Sequence, residues 1–350
     1  GLVSYSLYLV HWPVIVFYRY LLAGLPGPSD DMAMLALCGI LGVALYHLVE
    51  TPLRAPRSMA GSRRIRWFAA AAASAAILVV GGVADIAAAG WPGRFPAAVL
   101  DRIDLSVPQA NLYVWKNMNE APRSFAGDGR PKLLLIGDSQ AADFLNVLTE
   151  SGVRQDFDLA VRMVPVACQP VFPRTPDAYY ADRGANGAEC RRVHDDIVKA
   201  AVVPAADTIV LASSWTDYGV SEVGHTLDML HGLSRARVVV VGSKLHDADG
   251  PHIALLQSVR GGSIERISAG FRRSQTVELN ERLARIAGAG RFIDVYRAIC
   301  FAPGRCRVVT PDGRLILHDP THLTPAGAHF VGDLLRSTGA FATLLPDHGE

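Results

Sequence analysis

The chain has 350 residues, half of them hydrophobic, with 19% charged residues and a formal net charge of +1. That length suits two compact units, and with near-zero charge and no long basic block interleaved with aromatics nothing favours nucleic acid. The apolar excess is concentrated in the first ninety or so residues, so composition predicts a membrane part followed by a soluble part.

Leu2 to Leu22 is a mostly apolar run carrying Tyr5, Tyr8, Trp12, Tyr18 and Tyr20. Met32 to Val49 is a second run, and Trp67 to Ala84, rich in Ala and Gly, is a third. Each is about long enough to cross a ~30 Å hydrocarbon core as a helix, so three transmembrane helices are predicted. The chain enters this pattern at Gly1, with no basic stretch or small-residue cleavage site before it. This argues against a secretory signal peptide and predicts the C-terminal piece of a longer membrane protein. His11 lies mid-span, and His47 and Glu50 sit near the end of the second run; intramembrane ionisable groups are functional candidates. The plainer expectation is that His11 bonds a neighbouring helix and that the other two reach the interface.

The loop from Ala23 to Asp31 has no Lys or Arg, whereas the next loop holds Arg54, Arg57, Arg63, Arg64 and Arg66. The positive-inside rule places that second loop in the cytoplasm, so everything after Gly90 is expected outside the membrane. Four of the five cysteines, Cys168, Cys190, Cys300 and Cys306, fall in the exported part. An even number in an oxidising compartment predicts disulfides. Cys300 and Cys306 can close a small loop, which leaves Cys168 with Cys190. A zinc site is the alternative, without a Cys-x-x-Cys spacing to support it.

Trp91 to Pro131, with Pro92, Pro96, Pro108 and Pro122, reads as a linker or a small extension. Beyond Lys132, strand-like runs occur at Leu133–Ile136, Leu159–Val164, Thr208–Ala212, Val238–Val241 and Phe292–Val295, with helical patterns such as Cys190–Ala201 and Val277–Ala287 between them. Such alternation predicts a parallel sheet covered on both faces, a three-layer α/β/α domain. Thr324, Pro325 and the stripe Phe330, Val331, Leu334 and Leu335 predict a final helix.

Gly137-Asp138-Ser139-Gln140 directly follows the first strand, which places Ser139 at a strand-to-helix turn. Asp319-Pro320-Thr321-His322 lies just before the final helix. A serine hydroxyl needs a base, and the base needs an orienting group; His322 and Asp319 can supply both from one loop. The catalytic candidates are therefore Ser139, His322 and Asp319. A metal site from His318, Asp319 and His322 is the competing pattern, without a third firm ligand motif, and no metal is predicted.

The Gly-Asp-Ser and Asp-x-x-His blocks resemble those of the SGNH hydrolase family. Ser4-Tyr5-Ser6-Leu7-Tyr8-Leu9-Val10-His11-Trp12-Pro13 resembles the late membrane helices of the acyltransferase-3 family, as does Val49-Glu50-Thr51-Pro52-Leu53-Arg54. The order is similar to that of fused proteins that O-acetylate bacterial surface polysaccharides, and the Cys300…Cys306 loop leading into His318–Leu323 resembles the fused form too. The resemblance covers nearly the whole chain. It implies late acyltransferase-3 helices plus one extra span at 1–90, a linker at 91–130 and an SGNH hydrolase-like domain at 131–350. It also implies an O-acyltransferase that acetylates a surface or periplasmic glycan such as lipopolysaccharide O-antigen. The donor would be acetyl-CoA, handled by membrane helices missing from this chain, with no bound cofactor. The place implied is the bacterial inner membrane, multi-pass, with the C-terminal domain in the periplasm or outside. A membrane-anchored exported esterase or deacetylase is the alternative, since the same triad serves water. A non-catalytic glycan-binding domain is a third reading.

Three departures from the family pattern stand out. The Asn of the third block has no counterpart in Ser213-Ser214-Trp215-Thr216-Asp217; the second-block Gly has none near Ala167-Cys168; and Gln140 stands where fused members often have His.

Overall fold

The computed structural model describes residues 2–21, 28–54, 61–88, 93, 96–100, 102, 106–302 and 304–346. The chain divides into two compact units, 1–100 and 101–350.

In the first unit, α1 (Ser4–Leu21) packs on α2 (Pro28–Leu45), which runs on through a π-helical turn at Tyr46–Glu50. A side chain at Gly42 would meet Leu7 at 3.1 Å, so the small residue lets the two helices approach closely. Ser6 Oγ, buried on α1, donates a hydrogen bond to Glu50. α3 (Gly61–Ala87) follows. Two of the three predicted spans are helices long and apolar enough to cross a membrane, Pro28–Glu50 and Phe68–Ala87. The second of these buries none of its side chains within the unit. The first predicted span, Leu2–Leu22, is not a third by this measure. Its helix has 18 residues and spends several on Tyr, Ser, His11, Pro13 and Arg19. His11 Nδ1 donates to the Tyr8 carbonyl at 2.6 Å, within its own helix rather than to a neighbour as expected.

The second unit is built on a five-stranded, wholly parallel sheet. Its strands are β1 (Lys132–Gly137), β2 (Asp158–Met163), β3 (Thr208–Ala212), β4 (Arg237–Val241) and β5 (Phe292–Ile293), in the order β2-β1-β3-β4-β5. β5 stops two residues short of its predicted end because Asp294 accepts a hydrogen bond from Arg297 N and starts a helical turn there. Successive β1 residues point to opposite faces. Leu133 and Leu135 enter one apolar layer, and Leu134 and Ile136 the other.

The first layer is covered by α4 (Val107–Glu120), α5 (Ser139–Glu150) and, near the chain's end, Pro325–Ser337. The second is covered by helices at 187–198, 217–233 and 274–287. α4 lies in the stretch expected to be linker or extension. Ser106 and Gln109 form a capping box there, with Pro108 in the first turn. Its carbonyls at Tyr113 and Val114 accept from Asn146 of α5, so α4 is part of the domain's covering layer.

The chain leaves β1 toward β2 on one side and returns to β3 on the other, so the sheet's switch point lies at the carboxyl ends of β1 and β3. Ligands bind at such points in open α/β sheets.

Candidate active site

Ser139 opens α5 at the carboxyl end of β1. The turn into the helix demands Gly137, since a Cβ there would lie 1.7 Å from the Ala212 carbonyl oxygen of the adjacent strand. Asp138 caps the helix. Its Oδ1 accepts from Gln140 N at 2.9 Å, and its carbonyl accepts from Ala141 N and Ala142 N. Of the first four helix amides, the Ser139 N–H alone makes no hydrogen bond among the described residues, which leaves it as a donor for an oxyanion.

The other end of the chain brings the base. Thr324 caps the final helix, accepting from Gly327 N at 2.9 Å. A Cβ at Gly327 would lie 2.0 Å from the Ile316 carbonyl oxygen, so the helix start is seated directly on the preceding chain. A bridge between Leu317 and Leu323 and a His318 N to His322 O bond of 3.1 Å close the loop between them. His322 Nε2 lies 2.8 Å from Ser139 Oγ, and His322 Nδ1 lies 2.7 Å from Asp319 Oδ2. Asp319 Oδ1 also accepts from the Thr321 and His322 backbone N–H groups at 2.7 and 2.6 Å. Burial pushes the Asp319 carboxyl up, but the His322 hydrogen bond and charge and the two backbone donors outweigh it and hold it at about 2. The three residues singled out from the sequence therefore meet in one chain of contacts.

His318 stacks on His322, with ring centroids 5.9 Å apart and planes 16° from parallel. Burial lowers its pKa, against the pull of Asp319. His318, Asp319 and His322 are close enough to share a metal ion. However, both His322 nitrogens and both Asp319 oxygens already have partners, and only His318 Nε2 is without one among the described residues.

The departures from the family pattern have structural counterparts. Where the third-block Asn was expected, Ser213 Oγ and Ser214 N donate to Asp138 Oδ2 at 2.7 and 2.9 Å. They fix the carboxylate that caps α5. Burial pushes the Asp138 carboxyl upward against these bonds. Near the missing second-block Gly, Gln169 takes a left-handed backbone (φ 50°), which glycine adopts without steric cost. Its side-chain amide bonds Thr216, joining the loops after β2 and β3.

Gln140 leads to residues that sequence reasoning missed. Its Nε2 donates to Thr321 Oγ1 at 2.5 Å, and its Oε1 accepts from Lys244 Nζ at 2.6 Å. Lys244 pairs with Asp143 at 2.8 Å, and Asp143 Oδ2 accepts from Leu323 N at 2.9 Å. A buried network thus grips the His322 loop on both sides, at Thr321 and at Leu323. Nothing in the sequence marks Lys244. Asp143 does recur one helical turn after Ser139, facing the same direction.

Both disulfides expected from the cysteine count are formed, Cys168–Cys190 and Cys300–Cys306. The first ties the loop after β2 to the helix Gly187–Val198.

Residues 110–337 match the family described as "SGNH domain (fused to AT3 domains)". The chain belongs to this family. No curated protein matches it. Among solved structures, this SGNH-family chain is similar to the periplasmic domain of a Salmonella ser. Paratyphi A lipopolysaccharide acetyltransferase. The identity is 14% and the TM-score 0.47, over 68% of this chain and 90% of that one. It is also similar to the C-terminal catalytic domain of Streptococcus pneumoniae peptidoglycan O-acetyltransferase A, at 13% identity and TM-score 0.26, over 61% of this chain and 94% of that one.

Proposed function

We propose that this chain is the exported acyl-transfer end of a membrane O-acyltransferase, placing an acetyl group on a hydroxyl of a cell-surface or periplasmic glycan such as lipopolysaccharide O-antigen. The observation that carries this reading is the run of contacts from Asp319 through His322 to Ser139. Membership of a family whose SGNH domains are fused to AT3 domains supports an acyl supply from the membrane part. The acetyl group would derive from acetyl-CoA, through further acyltransferase helices of that membrane part. The membrane part would be multi-pass in the inner membrane, with α1 spanning against α2; the Ser6–Glu50 bond would satisfy polar groups there that lipid cannot. The four paired cysteines support a periplasmic or external place for the domain.

Ser139 Oγ attacks the acyl carbonyl carbon while His322 Nε2 takes its proton. Asp319 holds Nδ1–H and stabilises the imidazolium. The Ser139 N–H and the positive end of α5 face the oxyanion. Collapse returns the His322 proton to the leaving group and leaves an acetyl ester on Ser139. In the second half, His322 takes the proton of a glycan hydroxyl, which attacks the ester carbonyl. Ser139 leaves as the alcohol, reprotonated by His322.

The test is glycan acetyl content in cells expressing the full-length protein, wild type against Ser139→Ala, with purified protein assayed on an acetyl ester. Loss of glycan acetyl in the variant supports transfer. Undiminished acetylation, with Ser139-dependent ester cleavage, would replace this reading with the exported esterase.

A further inference from the structure

Ser139 opens onto a cleft of about 720 Å³ in the second unit. One side is the end of β2 and the loop after it, from Arg162 onward; the other is the helix Gly187–Val198. The Cys168–Cys190 disulfide joins these two sides. Trp115 of α4 and Arg123 also line it, so an indole ring lies beside three arginines, with Asp138, Glu189 and Asp196 in the same lining.

Three arginines line this cleft, and they are not equivalent. Arg192 has a carboxylate partner, Asp196, at 3.5 Å on its own helix. Arg123 and Arg162 form no ion pair among the described residues, although Glu189 lines the same cleft. The two are nonetheless close. Arg162 Nη1 donates to the Arg123 carbonyl at 2.5 Å and to the Val161 carbonyl at 2.9 Å, which fixes its guanidinium at the cleft wall. Burial, and then the like charge of Arg123, lowers the Arg162 pKa. Two like charges with no ion-pair partner of their own among the described residues repel each other, at a cost to folding. An anion between them would remove that cost, and a guanidinium fork fits a carboxylate or a phosphate group in two-point contact.

We propose that Arg123 and Arg162 form an anion subsite that holds a carboxylate or phosphate group of the acceptor glycan, so that a nearby hydroxyl of the same glycan reaches Ser139. The role as acceptor subsite rests on the acyl-transfer reading above; the anion binding itself does not. The acceptor is then an acidic glycan, bearing a uronic-acid carboxylate or a sugar phosphate, with a neutral ring lying against Trp115.

Isothermal titration of the full chain in detergent micelles tests this directly, with trigalacturonate, glucose 6-phosphate and neutral maltotriose as probes at low ionic strength. The expected result is that at least one acidic sugar binds about tenfold or more tighter than maltotriose, as charge-assisted bonds require. Added salt should erode that preference. Preference for trigalacturonate assigns a carboxylate, and preference for glucose 6-phosphate a phosphate. Arg123→Gln and Arg162→Gln should each remove most of the preference. Arg123 is exposed, so its variant remains informative if loss of Arg162 disturbs folding. Acidic sugars that bind no tighter than maltotriose, or an Arg123→Gln protein that binds them as wild type does, would overturn the subsite. The titration reads binding without turnover. Absence of an acetyl ester on Ser139 would therefore count against the acyl-transfer reading, and absence of an anion preference against the subsite.

Discussion

Lys244 Nζ lies 2.8 Å from Asp143 Oδ2, and the side chains are only 4% and 0% exposed. Neither residue touches His322 itself, yet together they reach both its chain neighbours, through Gln140 to Thr321 and directly to Leu323 N. A charge pair so deeply buried stabilises only while both partners remain.

Replacing Lys244 by Met should therefore be costly. It leaves Asp143 buried with an uncompensated charge and with Oδ1 already lacking a partner among the described residues. The expected loss is about 3 kcal/mol or more in urea unfolding of the full chain in detergent, read by near-UV circular dichroism. A double variant, Lys244→Met with Asp143→Leu, should be less destabilised than either single change. If Lys244→Met unfolds at the wild-type urea concentration, the pair has no such role.

Asp319 is expected to orient His322 rather than to exchange protons with it. Asp319→Asn should slow acylation of Ser139 by a fluorophosphonate probe on the order of 10³-fold or more, because the imidazole loses its fixed tautomer. Equal labelling rates in wild type and variant would contradict the assignment.

The same carboxyl has a signature in stability. It is held at about 2, below its ordinary 3.8. A depressed carboxyl contributes stability that is fully present above 3.8 and is lost as pH falls from there toward about 2. Asp319→Asn should flatten that part of the stability curve, measured as urea midpoint against pH, and leave the slope near neutrality unchanged.

The Cys168–Cys190 bond closes a loop with a sequence separation of 22. In the chain-entropy account, removing it by Cys168→Ala with Cys190→Ala should cost about 3 kcal/mol. Thermal unfolding of wild type and variant without reductant, so that both keep Cys300–Cys306, checks that the loss comes from this bridge.

Gly137→Ala should be among the most damaging single changes. The new methyl carbon would sit 1.7 Å from the Ala212 carbonyl oxygen, so β1 and β3 must separate where the site is built. A loss of at least about 3 kcal/mol, or failure to accumulate folded protein, is expected.

What was legible in the sequence follows from what each feature depends on. The five strands were visible because parallel strands buried on both faces are short apolar runs, and Thr208–Ala212 has the predicted limits. Ser139, Asp319 and His322 can be singled out because a strand end and a capped helix start are legible from spacing, and the structure adds that they lie within hydrogen-bond distance of one another. α4 was obscured by its prolines and its mostly polar surface, although Ser106 and Gln109 carried a cap signal that could have revealed it. The Lys244–Asp143 pair was invisible because it joins residues a hundred positions apart and depends on burial, which spacing does not report. The first membrane run stands out less than the other two. Its length suited a span, but His11, Pro13, Arg19 and the tyrosines lower its hydropathy below that of the two helices that qualify.

The most direct test of the central claim is peptide mass spectrometry of the full chain after brief exposure to p-nitrophenyl acetate and an acid quench. The account predicts an acetyl group on the peptide that contains Ser139, formed with a burst of nitrophenol, and absent in Ser139→Ala and His322→Ala. Acetyl accumulating equally in Ser139→Ala, or no Ser139-linked acetyl in a wild-type protein that turns over the ester, would contradict it.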